Sequence, residues 1–171
     1  MVWEYNKSTN KYKIMALEIE RKFLVTGDTY KQHATKRMLF RQGYLKSSGK
    51  SVVRVRIADD KAYLTVKGEN KGISRSEFEY ELPVTDAIFM LNNLCEGYIV
   101  EKYRYIIPTG NNLEWEVDEF TGVNAGLVIA EIELKTENDL FEVPEWLGQE
   151  VSGDVWYYNS YLSEHPYTSW K

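Results

Sequence analysis

The sequence holds a single cysteine, Cys95, and only two histidines, His33 and His165. One thiol cannot close an internal disulfide, and no Cys or His spacing matches a zinc site, so a metal here would need oxygen ligands. Long apolar runs are missing too. No stretch is long enough to span a bilayer and the N-terminus lacks the apolar core of a signal peptide, so the expectation is a soluble cytoplasmic protein with no membrane partner. Nor is there a basic excess: 21 Lys and Arg stand against 26 Asp and Glu, a formal net charge of -5. That argues against a nucleic-acid partner but leaves room for a small anion in a locally basic pocket. No internal repeat of roughly 20 to 50 residues is visible.

What is present favours strands. The chain of 171 residues is 14% aromatic with 13 tyrosines, and its turns are rich in Gly and Asn, which suits a β-rich fold of one domain. Residues 1–14 are polar, carry Lys7, Lys11 and Lys13, and show no sustained period, so they read as a poorly ordered extension ahead of a single domain at 15–171. A strand is expected over 17–25, where Glu18, Glu20 and Lys22 share one face and Ile19, Arg21 and Phe23 the other. A short helix over 30–36 follows. Strands are then expected at 39–45, 51–58, 62–67 and 74–82, a helix at 86–96 stopped by Gly97, and strands again at 98–107, 113–120 and 127–135. The tail reads as a turn of helix at 144–148 and a terminal helix at 155–162.

These strands share one pattern, a charged face opposite an apolar one. Roughly eight antiparallel strands are enough to close a barrel with a usable interior. Bases gather on the strands holding Arg54, Arg56, Lys67, Lys102 and Arg104, and acids on those holding Glu116, Asp118, Glu131 and Glu133. The helices need an apolar surface to pack on, so the apolar faces point outward and the charges inward. Buried charge at this density is costly unless it is paired or holds a ligand. Bases beside carboxylates suit a polyanion with a divalent cation, and a triphosphate with magnesium fits that description.

The run Glu18-Ile19-Glu20-Arg21-Lys22-Phe23 resembles the Glu-x-Glu-x-Lys signature of the CYTH family, the triphosphate tunnel metalloenzymes. Further blocks resemble the family's in its order: Gln42-Gly43-Tyr44-Leu45, Arg54-Val55-Arg56, Thr65-Val66-Lys67-Gly68, Arg75-Ser76-Glu77-Phe78-Glu79, Glu116-Val117-Asp118-Glu119-Phe120, Ala130-Glu131-Ile132-Glu133-Leu134 and Tyr157-Tyr158-Asn159. The resemblance implies a β-rich α+β fold: an eight-stranded antiparallel closed barrel with helices on its outside, acting on triphosphates with Mg²⁺ or Mn²⁺. Lys22, Arg54, Arg56, Lys67, Arg75, Lys102 and Arg104 become the phosphate ligands. Glu18, Glu20, Asp118, Glu131 and Glu133 become the metal face, with Glu18, Glu20, Lys22, Glu131 and Glu133 as the catalytic set. Glu116 stands beside them, while Glu77 and Glu79 orient the bases or the attacking water. Glu81 and Glu114 read better as salt-bridge partners.

One departure concerns the tail. Many bacterial relatives carry basic residues between Asp154 and Tyr157, where this chain has Val155 and Trp156. Inorganic tripolyphosphate is the first substrate to consider, because no base-recognition pocket is evident. The alternatives are an adenylate cyclase, a thiamine triphosphatase, and a module that holds polyphosphate without cleaving it. Trp146 and Trp156 could stack on an organic group, though core packing explains them as well. A homodimer is left open.

Overall fold

Alternating apolar and charged residues build long antiparallel strands whose two faces have opposite character. The computed structural model describes residues 3–6, 11–14, 19–47, 51–68, 77–136 and 138–170. Strands β1 (Trp3–Asn6) and β2 (Lys11–Ile14) pair as a separate two-stranded sheet, where the absence of a period had suggested no regular element.

The main sheet comprises β3 (Ile19–Val25), β4 (Lys36–Leu45), β5 (Ser51–Ala58), β6 (Lys61–Gly68), β7 (Glu77–Leu82), β8 (Cys95–Pro108), β9 (Glu114–Phe120), β10 (Val128–Leu134) and β11 (Leu147–Glu150). Their order is β11-β3-β10-β9-β8-β4-β5-β6-β7, antiparallel throughout. The sheet therefore has nine strands rather than eight, and among the described residues its ladder ends at β11 and β7 instead of closing. It is nevertheless strongly curved. In a flat sheet β3 and β4, four places apart, would lie about 19 Å from each other, yet Tyr44 of β4 feels the charges of Lys22 and Glu131. Likewise Arg56 of β5 feels Arg104 and Glu116. The charged face thus forms the inside of a trough.

The outside is apolar. Phe23, Tyr105, Trp115, Ala130, Ile132 and Leu134 pack with Tyr30 and Trp146 into one core, with aromatic rings meeting edge to face, Tyr30 on Tyr105 and Trp115 on Trp146. Helix α1 (Val84–Asn93) lays Ala87 and Leu91 on Val55, Ile57 and Ala62 in a second core. The expected outward packing holds for α1. It fails for α2 (Asn159–Glu164), which sits on the charged face of the sheet. At one end of that face the inward residues are apolar: Val100, Phe120 and Ile129, opposite Gln42, Lys102 and Asp118 in register, and they bury Leu162 of α2.

Tertiary pairing explains the other differences. The helix expected at 30–36 is a 3-10 turn over Thr29–Gln32, because Tyr30 plunges into the aromatic core and Thr35 N already bonds Ile106 O, which starts β4 at Lys36. Helix α1 stops at Asn93, and Cys95 pairs with Leu45 in β8. Gly97 is therefore a strand residue, not a helix stop. The helical turn expected at 144–148 is one turn only, Leu147 N donating to Pro144 O at 3.0 Å, and leads into β11, whose pairing with β3 satisfies that strand's free backbone side. The terminal helix is split: Tyr158 is extended between a 3-10 turn at Val155–Tyr157, capped by Asp154, and α2.

Candidate functional site

Register brings the charged residues together. Glu131 lies opposite Lys22 on one side and Glu116 on the other, and Asp118 lies opposite Arg104. Lys22 Nζ donates to Glu20 Oε1 at 2.6 Å and also to Glu131 Oε1. Arg104 Nε donates to Asp118 Oδ1 at 2.7 Å, and its Nη2 donates to Asp118 Oδ2 at 2.6 Å and Glu131 Oε2 at 2.9 Å. Its Nη1 donates to Glu116. Lys102 donates to Asp118 Oδ2 and to Asn159 Oδ1, the latter at 3.2 Å. Lys22, Lys102, Asp118 and Glu131 are all buried.

Across the trough, Arg54 and Arg56 converge on Glu79 at 3.3 and 3.1 Å, and Lys67 pairs with Glu77 at 2.8 Å. Thr65 joins them, donating to Glu79 at 2.8 Å and accepting from Arg54 at 3.0 Å. Among these ion-paired groups, bases exceed acids on β5–β7, and acids exceed bases on β3 and β8–β10. Two donors are left over: Arg54 Nε and Arg56 Nε are buried without an acceptor among the described residues. An orphaned buried donor costs about 1–3 kcal/mol, which an anion in the trough would remove.

The electrostatics follow from packing. Burial opposes the charge on Glu131, but Lys22, Arg104 and Lys102 outweigh it and hold the carboxyl well below its usual range. Glu20 behaves oppositely. Although 37% of its side chain reaches solvent, crowding by protein and the charge of Glu131 push its carboxyl up to about 6, against the pull of Lys22. Burial lowers Lys102, with Asp118 opposing, and raises Glu116, with Arg104 opposing. Burial and Arg54 lower the Arg56 guanidinium.

Among the described residues no three acidic, His or Cys side chains are gathered as a ready metal cluster. The donor chemistry still suits a hard cation, because Lys22 holds a positive charge between the oxygens of Glu20 and Glu131, where a divalent ion could take its place. Glu133 lies opposite Glu20 in register, more exposed than Glu131. The expected site residues Glu18 and Arg75 lie outside the described residues. All the others lie on the trough face.

Gln42, Tyr44, Thr65 and Asn159 stand on this face without a role assigned to them from the sequence. Gln42, which donates to the Tyr44 hydroxyl, and Thr65 follow the inward period of Arg54 and Arg56 across the ladder, a signal that was present. Asn159 stands in the block Tyr157-Tyr158-Asn159, but nothing local pairs it with Lys102, since only the folding of the tail brings the two together. Neither tryptophan offers a stacking platform on this face: Trp146 is buried in the outer core, and Trp156 packs on Tyr161 and Trp170.

A model described as the CYTH domain matches residues 16–156. An inorganic triphosphatase of Acetivibrio thermocellus is 53% identical over 157 residues, covering 92% of this chain and 99% of that protein. The inorganic triphosphatase of Nitrosomonas europaea is 36% identical over 149 residues, covering 85% and 96%. The crystal structure of an inorganic triphosphatase superposes with a TM-score of 0.65 at 31% identity, covering 88% of this chain and 97% of that one.

Proposed function

The chain belongs to the CYTH domain family, and on that premise we propose that it is an inorganic triphosphatase, cleaving tripolyphosphate to pyrophosphate and phosphate with Mg²⁺ or Mn²⁺. The observation that carries this reading is the trough itself: guanidinium donors at Arg54 and Arg56, orphaned among the described residues, face a bank of buried carboxylates already organised around positive charge. Relatives with that activity support it over nearly their whole length.

In this reading the curved sheet surrounds the substrate as a tunnel. Arg54, Arg56 and Lys67 take phosphoryl oxygens on one wall, and Lys22, Lys102 and Arg104 on the other, neutralising charge that redistributes in the transition state. Arg75 belongs with these bases. Glu18, Glu20, Asp118 and Glu131 are the oxygens that would hold the cation, whose contribution when bound is to polarise the phosphoryl group. Glu131, Glu133 and Asp118 accept hydrogen bonds from water and aim it in line with the scissile bond. Glu77, Glu79 and Glu116 hold the bases in place. A cytoplasmic setting, with no nucleic-acid or membrane partner, goes with a free inorganic substrate.

Phosphate release from tripolyphosphate, ATP and thiamine triphosphate, measured in parallel with Mg²⁺, Mn²⁺ or chelator, tests the proposal. Metal-dependent release fastest from tripolyphosphate is expected. Cyclic AMP from ATP would make the chain a cyclase, and tight binding without turnover would leave only a binding module.

A further inference from the structure

Among the described residues Lys102 is the most enclosed base of the trough, with its side chain 2% exposed. It lies between the rings of Phe40 and Phe120, 5.9 and 5.3 Å from their centroids. An ammonium has three N–H donors and no acceptor. Among the described residues one donor goes to Asp118 Oδ2 and one to Asn159 Oδ1, which leaves one for a ligand in the trough. Two fixed acceptors determine where the third N–H points. Asp118 alone, shared with Arg104, would leave the ammonium free to swing about one bond.

Asn159 is well placed to be a fixed acceptor. It opens α2, whose Leu162 and Ser163 are buried and whose Leu162 carbonyl accepts from Asn124 Nδ2 at 3.5 Å. Asn124 in turn accepts from Tyr167 N at 2.8 Å, tying the end of the tail to the sheet. The amide also has the right chemistry, since its oxygen fixes the ammonium without adding a negative charge that would oppose an anion. We propose that Asn159 is a positioning residue for triphosphate binding, aiming Lys102 into the trough, so that the C-terminal segment is a functional part of the site. This inference rests on the triphosphatase reading.

The test compares wild type with Asn159→Ala, Lys102→Met and the double variant. Tripolyphosphate binding is measured by calorimetry in chelator, and kcat and KM with Mg²⁺. Asn159→Ala is expected to weaken binding about tenfold and to raise KM about tenfold, with kcat changed less than about threefold. In the Lys102→Met background the same substitution should cost nothing further, because its effect passes through the lysine. Wild-type affinity in Asn159→Ala, or losses that multiply in the double variant, would overturn the inference. Asn159→Asp keeps the shape and an acceptor while adding charge, and it carries the test if the alanine variant does not fold. It should bind tripolyphosphate at least tenfold more weakly with an unchanged melting temperature, and undiminished binding would place residue 159 outside the site. A wild-type chain that neither binds nor hydrolyses tripolyphosphate refutes the functional reading itself. Hydrolysis by wild type with normal binding in both Asn159 variants refutes only the role of Asn159.

Discussion

Arg56 and Arg104 both face the trough, yet their truncation has different expected consequences. Arg56 is partnered by Glu79, itself 35% exposed, so its loss leaves a carboxylate that water can reach. Arg56→Ala should lower kcat/KM about a hundredfold, the usual scale for removing one transition-state charge donor, with little change in melting temperature. Arg104 instead holds Asp118 and Glu131, both buried. Arg104→Ala leaves each with a single lysine partner, Lys102 for Asp118 and Lys22 for Glu131, and should cost about 1.5–3 kcal/mol of stability besides activity. Urea unfolding of the two variants separates the cases, and equal midpoints would show that the inner ion pairs contribute nothing to folding. The signs and in-phase spacing of these residues were legible in the sequence. Which base was buried and which half-open was not, because exposure depends on what the curved sheet and tail lay over each position.

At the scale of elements, two contacts decide how the ends of the chain meet the sheet. Gly97 of β8 has φ +71, and a Cβ there would lie 2.5 Å from the Ser163 carbonyl oxygen. A backbone oxygen can yield only if α2 moves. Gly97→Ala should therefore lose about 1–3 kcal/mol and, through displacement of Asn159, raise KM for tripolyphosphate, both read from urea midpoints and initial rates. On the other side, Glu150 of edge strand β11 holds Arg21 of β3 at 2.8 and 2.5 Å. The Arg21 hydrogen bonds keep this carboxyl below its ordinary 4.5. Its folded-state value is lower than its unfolded one, so its stabilisation is complete above about pH 4.5 and disappears as pH falls through the folded value. Glu150→Gln should cost less than about 1 kcal/mol near neutrality, since both partners are over a third exposed. That cost should shrink on acidification; a cost unchanged at acid pH would rule out the linkage. Strand β11 and the split tail helix were misread from local pattern. Each is dictated by a partner far along the chain, β3 for one and the apolar inner end of the sheet for the other.

For the whole molecule, charge balance governs response to ligand. Apart from the Arg54 and Arg56 Nε donors, the buried acids and bases pair with one another among the described residues, and a cation with a phosphate chain would replace both sets of partners at once. Saturating Mg²⁺ with pyrophosphate at about a hundred times its dissociation constant should stabilise the fold by about 2.7 kcal/mol, a rise of roughly 5–10 °C in melting temperature for a chain of this size. Chelator should abolish most of that rise, and scanning calorimetry reads both. No rise with either component would show that the trough does not bind them.

The sequence alone determined the strand succession, the apolar and charged faces, and nearly all the residues of the trough, because a period of two is written locally and each side chain's sign travels with it. The tertiary structure decided the rest: that the ladder joins nine strands, that β11 rather than a helix completes one edge, and that α2 lies on the inner face. Those outcomes depend on which distant surface offers unpaired backbone groups or uncovered apolar area. Asn159 reaches Lys102 across 57 residues of chain for that reason.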